Sequence, residues 1–415
     1  MSGRISFQSI RALSKSILAV ARHRCNRVLQ LFSSPPAEIS QEQRSQTARI
    51  LLIPKGYLGD LVLTTPVLEA LKSSDPTVSI TMVVPPQFAE LVKRDPLVDE
   101  VIVFDRREVA RGWKGLRAFA EVLRLKHFDA AYSFHRSVRT SVLLWRAGIP
   151  KRVGYADSYL SSLYTERVEK TRRCHEVVRN LELVLDRLTG EVHQEVLALK
   201  KGGPAPVSAR FALRLPLSTP EDLSVIVTSL IEQETPYVVL APGSAWATKR
   251  WRPDGFREVA QGLQARGMRV VVVGSSDDRE ACDAVCRGLV DSIVNLCGRT
   301  TFAELAQIVR GARAVICNDS LALHIASAHQ IPTVAIFCAT SPLFGFGPWK
   351  NRAIVVEKGE LFCKPCRRHG SRHCPTGTEA CMKGVTSQMV LQAYSDLSSE
   401  DLRLRGGGSL RVIQS

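Results

Sequence analysis

The chain predicts an α/β fold of two domains, each built on a parallel sheet. Short β-branched runs alternate with longer helical stretches from Arg49 to about residue 133, and again from Tyr237 to Phe337. That alternation is the pattern of right-handed βαβ units. A looser stretch parts the two series, with Gly202-Gly203-Pro204, Pro206 and Leu215-Pro216-Leu217-Ser218-Thr219-Pro220 between residues 200 and 235. At 415 residues the chain is long enough for two full cores.

Taken in order, residues 1–47 form an extension and linker. From Met1 to Pro35 stand six basic residues (Arg4, Arg11, Lys15, Arg22, Arg24, Arg27) and no acidic one. Ile10, Leu13, Ile17, Val20, Val28 and Leu31 recur at near-helical spacing, which predicts a basic amphipathic helix. A solvated extension, contact with anionic lipid headgroups and a transit peptide all stay open. A signal peptide fits poorly, because Lys15, Arg22 and Arg24 interrupt any apolar region. Strands are expected over 49–54, 78–84, 100–104 and 129–133, with helices near 61–73, 86–93 and 113–126, in a first domain spanning 48–218. The second domain, 219–400, opens with a helix over 221–233. It has strands at 237–240, 269–273, 292–296, 314–317 and 333–337, and helices at 279–288 and 321–328. Residues 401–415, with Gly406-Gly407-Gly408, read as a disordered tail.

Charge bears on partners rather than fold. The 56 Lys+Arg against 40 Asp+Glu leave a net +16. Phosphorylated substrates and an anionic membrane face fit that excess. Nucleic acid does not, since aromatics are only 6% and no recognition motif is present. No stretch reaches the roughly 18 uncharged apolar residues that span a bilayer. The eleven cysteines are odd in number and irregularly spaced, which points to a reducing cytoplasm.

Ligands of open parallel sheets bind where strands end and helices begin, because helix N-termini offer free N–H groups. Lys55-Gly56-Tyr57-Leu58-Gly59-Asp60 follows the first strand, so Gly56 and Gly59 make a tight turn that presents one carboxylate. The alternative is that Asp60 only caps the helix after it. Pro242-Gly243-Ser244, with Lys249-Arg250-Trp251 beyond it, suits a diphosphate. Gly274-Ser275-Ser276-Asp277-Asp278 occupies the place of a ribose-holding carboxylate, with Asp277 and Asp278 both eligible. Asn318-Asp319-Ser320 follows an apolar strand, and His324 returns five residues past Asp319. Separately, Cys363-x2-Cys366-x7-Cys374-x6-Cys381 has the spacing of a structural zinc or iron site, with His369 and His373 as alternative ligands and two disulfides as the rival.

Together these segments resemble glycosyltransferase family 9, the heptosyltransferases of the bacterial lipopolysaccharide inner core. The carrying residues are Ile53 through Pro66, Pro242-Gly243-Ser244, Lys249-Arg250-Trp251, Asn318-Asp319-Ser320, His324 and Phe344-Gly345-Phe346-Gly347-Pro348-Trp349, in the family's order. The resemblance implies a GT-B architecture of two facing Rossmann-like domains and inverting sugar transfer without a catalytic metal. It implies Asp60 as general base, and Lys249, Gly243, Ser244 and Ser320 on the diphosphate. Asp278, Asp319 and His324 would serve the rest of the donor. The implied partners are a nucleotide-diphosphate sugar such as ADP-heptose, an anionic lipid-linked saccharide acceptor and the inner face of the inner membrane. A nucleotide-sugar epimerase and a non-catalytic membrane-associated binding protein are the alternatives. One departure stands out: Leu321 replaces the glycine many members have, and a side chain there would hinder backbone approach to phosphate.

Overall fold

A computed structural model describes residues 47–105, 113–202, 210–217, 219–233, 235–289, 293–398 and 410–414. The expected amphipathic segment falls on residues 1–46, outside those described. The first sheet contains β1 (Arg49–Ile53), β2 (Ser79–Val84), β3 (Glu100–Val103), β4 (Ala130–Ser133), β5 (Lys151–Tyr155) and β6 (Glu166–Val168) in the order β3-β2-β1-β4-β5-β6. The second contains β7 (Tyr237–Ala241), β8 (Arg269–Val272), β9 (Ile293–Asn295), β10 (Ala314–Asn318), β11 (Thr333–Phe337), β12 (Ala353–Glu357) and β13 (Leu410–Gln414) in the order β13-β12-β11-β10-β7-β8-β9. Every pairing is parallel. In each sheet the chain winds outward one way, then returns to the centre and winds the other way. The reversal lies between β1 and β4 in the first sheet and between β7 and β10 in the second, which is where doubly wound sheets take ligands.

The central strands are buried from end to end, as β-branched runs covered on both faces must be. Pro66 divides the helix expected over 61–73. Leu58–Val62 forms one turn, and Pro66–Ser74 restarts with the proline at its first position, where no N–H is needed. β5, β6 and β12 escaped the sequence reading, as did the helices Val138–Arg146, Glu176–Leu183 and Gly190–Lys200. Their apolar patterns are short or broken by charge.

The tail needs correction. Leu410–Gln414 is a strand paired with β12 rather than structureless, because Leu-Arg-Val-Ile-Gln has enough β-forming character to extend a buried strand's open edge.

The domains face each other. One continuous cluster of buried side chains includes Ile50, Leu58 and Leu61 from the first and Val315, Leu323 and Ile325 from the second. Among the described residues no helix is long and apolar enough to cross a membrane.

Candidate functional site

The switch points of both sheets meet where the two domains face each other. Helix Leu58–Val62, after β1, packs on helix Leu321–Ala328, after β10. Gly59 permits this approach: a Cβ there would stand 3.1 Å from Cδ2 of His324 and 3.8 Å from its Nε2. Asp60 lies in the first turn of its helix, its side chain 18% exposed, so the carboxylate is neither sealed in the interior nor free in solvent.

On the facing side, Lys249 Nζ stands 2.8 Å from Asp319 Oδ2, and Thr340 Oγ1 donates to that same oxygen at 2.7 Å. Ser244 donates its hydroxyl to the Asp319 carbonyl at 3.1 Å. The hydroxyl therefore ties two loops together. Asn318 does the same, accepting from the Trp251 N–H at 3.0 Å and donating to the Pro242 carbonyl at 2.7 Å. Ser320 is the N-cap of helix Leu321–Ala328, with extended backbone and no side-chain cap bond. Leu321, which stands where many members have glycine, is partly buried and packs against the apolar core.

Of the paired aspartates, Asp277 is exposed, while Asp278 turns inward. Asp278 Oδ2 accepts from the Ser275 N–H at 3.0 Å and the Ser275 hydroxyl at 2.7 Å, closing a capping box. Its carboxylate lies so near Gly243 that a Cβ on Gly243 would fall 2.3 Å from Asp278 Cγ. Arg250 supports both loops, donating to the Ser244 carbonyl at 2.7 Å and standing 3.6 Å from Asp278 Oδ1.

His324 is buried, and among the described residues its Nδ1 meets no hydrogen-bond partner. Burial, reinforced by Lys249 and opposed by Asp319 and Asp60, pushes its pKa down to about 4. At that value the ring is uncharged near pH 7, and it packs beneath Gly59.

Reasoning from sequence missed a second set of groups beside Asp60. Lys55 Nζ donates to Asp60 Oδ1 at 2.9 Å and to Glu176 Oε1 at 2.6 Å. The Glu176 side chain is fully buried, and three more cations surround it: Arg179 at 2.7 Å, Lys170 at 3.4 Å and Arg368 at 3.4 Å. Burial alone would raise the Glu176 pKa. Lys55, Lys170 and Arg179 overcome it and hold the carboxyl well below its usual range. Burial likewise opposes the charge on Lys55, and Glu176 and Asp60 raise its pKa regardless. The available signal was Glu176 and Arg179 at i, i+3 on one helix.

The four cysteines do not assemble as expected. Cys366 and Cys381 feel the charges of Cys363 and Cys374, so the four are neighbours. Nevertheless, among the described residues no three His, Cys, Asp or Glu side chains converge into a group that would hold a metal. Cys381 is buried in the apolar core, whereas Cys374 lies near the surface, bonded to Thr376 at 3.4 Å with its thiol pKa lowered to about 7. The structural zinc or iron reading is therefore not supported. The loop is held by other means. Lys364 Nζ donates to the Phe337 carbonyl and to Glu357, and Thr248 and Ser371 exchange hydrogen bonds with each other.

Similarity to known proteins agrees with this geometry. The sequence profile of glycosyltransferase family 9 (heptosyltransferase) matches residues 116–376. Lipopolysaccharide heptosyltransferase 2 of Salmonella typhimurium is 25% identical over 360 residues, spanning 85% of this chain and 99% of its own length. Among solved structures, the family 9 glycosyl transferase of Veillonella parvula superposes with a TM-score of 0.72 at 22% identity, covering 85% of this chain and 98% of that one. The Escherichia coli ADP-heptose lps heptosyltransferase II gives 0.65 at 24% identity, covering 84% and 98%. At such identities the two structures speak for the fold, a GT-B pair of facing domains.

Proposed function

Because the chain belongs to glycosyltransferase family 9, we propose that it transfers heptose from ADP-heptose onto an acceptor of the lipopolysaccharide-core type, with inversion at the anomeric carbon. The observation that carries the proposal is the junction itself, with a half-buried carboxylate, Asp60, on one side and the Lys249–Asp319 pair on the other.

Asp60 takes the proton from the acceptor hydroxyl as its oxygen bonds to the anomeric carbon. The bond to the diphosphate oxygen breaks, and its electron pair leaves with the diphosphate. Lys249, released from Asp319 by the incoming phosphates, neutralises that charge, together with N–H groups around Gly243 and Ser320. Asp278, aimed at the Gly243 loop, meets the ribose. Asp319 and His324 contact sugar hydroxyls, with His324 acting uncharged. No step needs a metal. The net +16 favours an acceptor rich in carboxylates and phosphates at the cytoplasmic face of the inner membrane. The similarity of the chain to heptosyltransferases over 85% of its length favours transfer over epimerisation or a non-catalytic binding role.

The test is a transfer assay with ADP-heptose and a heptose-deficient lipopolysaccharide. Asp60→Ala is expected to abolish product while ADP still binds by calorimetry. Full activity in that variant removes Asp60 from the mechanism, and equal activity with UDP- or GDP-sugars removes ADP-heptose as the donor.

A further inference from the structure

The first turn of helix Glu176–Leu183 belongs to the first domain, yet the second domain grips it. The Glu176 N–H donates to the Gly345 carbonyl at 2.8 Å. Arg179 Nη1 donates both to Glu176 Oε2 at 2.7 Å and to the Phe344 carbonyl at 2.8 Å. The His175 ring bonds the Gly347 carbonyl through Nε2 at 3.0 Å and stacks on Trp349 with ring centres 4.5 Å apart. Gly345 makes this possible, with φ at +96° and no room for a Cβ, which would lie 2.5 Å from the Cys174 carbonyl oxygen. Arg368 completes the grip from a loop of the second domain.

We propose that Glu176 is a positioning residue for the base, holding Lys55 against Asp60 while the Gly345 and Phe344 carbonyls and Arg368 of the docked second domain hold Glu176 and Arg179 in turn. The inference rests on the reading of Asp60 as base. Backbone carbonyls of the second domain fix Glu176 and Arg179; Glu176 Oε1 fixes Lys55; and the same Nζ of Lys55 fixes Asp60. A fully buried carboxylate adds little stability for the desolvation it requires. Its value is placement. It also balances charge: Lys55, Lys170, Arg179 and Arg368 all pair with Glu176, and Lys55 with Asp60 as well, while the buried Glu182 acts on the neighbouring Tyr155 and Cys174.

Four neighbouring titratable groups are shifted away from the window between pH 7 and pH 9. Burial raises the Tyr155 and Cys174 pKa values, the latter to about 11, and lowers those of His175, to about 4, and His369. Lys170, pulled to about 8 by burial and by Lys55, Arg368 and Arg179, is the exception. Lys55 becomes a second one when its main counter-charge goes.

The experiment compares wild type, Glu176→Gln and Asp60→Asn in the full chain, with kcat for transfer measured from pH 6 to about pH 11.5, so that the limb of a lysine raised above its ordinary value is covered, and ADP affinity by calorimetry. Glutamine keeps the shape and loses the charge. We expect kcat to fall on the order of 100-fold, the effect of a displaced reacting group. The alkaline limb should move down by about one pH unit or more as Lys55 loses its counter-ion. ADP affinity should hold within about threefold, less than the worth of one net hydrogen bond. A wild-type profile, or a uniform loss with the limb unmoved, overturns the proposal. If Glu176→Gln does not fold, Lys55→Met replaces it. It should lose kcat with ADP affinity retained, and wild-type kcat in that variant overturns the proposal as well. Activity in Asp60→Asn would refute the base itself. An inactive Asp60→Asn beside an unaffected Glu176→Gln would refute only the positioning role.

Discussion

Gly243→Ala adds one methyl group where the structure leaves no room. The new Cβ would fall 2.3 Å from Asp278 Cγ and 2.5 Å from both carboxylate oxygens, so the carboxylate has to swing away. It then gives up the hydrogen bonds from the Ser275 N–H and hydroxyl. Both are solvent-accessible, so their loss destabilises the domain by about 1–2 kcal/mol in total. If Asp278 meets the ribose, a charge-assisted bond of about 1.5–3 kcal/mol goes with it, weakening ADP about 10- to 100-fold. Calorimetric ADP titration and denaturant unfolding measure the two effects. The double variant Gly243→Ala, Asp278→Ala isolates the cause. With the carboxylate gone the methyl fits, so stability should show a coupling of about 1 kcal/mol or more. Additive losses, agreeing within about 0.5 kcal/mol, would refute the steric argument. An unchanged ADP affinity in Gly243→Ala would refute the ribose contact.

Lys249→Ala should cut kcat/KM for the donor on the order of 100-fold by removing one preorganised charge from the diphosphate, and a loss under about twofold would exclude that role. Gly345→Ala forces a side chain into left-handed backbone against Cys174, which costs about 1–3 kcal/mol at the interdomain grip. Scanning calorimetry should then show two transitions in place of one. Stability should fall as pH drops from about 6.5 to about 4, because His324, with its ordinary value of 6.5 lowered to about 4, takes up its proton in the unfolded state but not in the folded one. His175 and His329 act in the same direction. Denaturation midpoints across that window should slope less in His324→Gln, and an equal slope would exclude His324 as a contributor.

Much of this molecule was legible in the order of its residues. The β-branched runs of β1, β7, β10 and β11 announce buried parallel strands, because a strand covered on both faces has no need of polar alternation. The turn residues after those strands announce where a ligand meets helix N-termini, so Asp60, Gly243, Lys249, Asp319 and His324 were nameable as candidates from local pattern. β5, β6 and β12 were not, since short strands among charged residues carry little periodic signal. Nor was the edge strand β13, whose order depends on β12 offering an open edge.

What the sequence determined by itself is local: which segments become strands and helices, and which side chains stand at their junctions. Only the tertiary structure decided which of those side chains meet. Lys55 and Glu176 are 121 residues apart, and Arg368 is a further 192 along. No spacing rule links them: the fold of the first domain brings Lys55 to Glu176, and docking of the second domain adds Arg368. Packing within the second domain likewise places Cys381 in the core and Cys374 in a surface turn, and among the described residues no metal-holding group converges there. A linear motif states which groups are available, and packing sets the distances on which the chemistry depends.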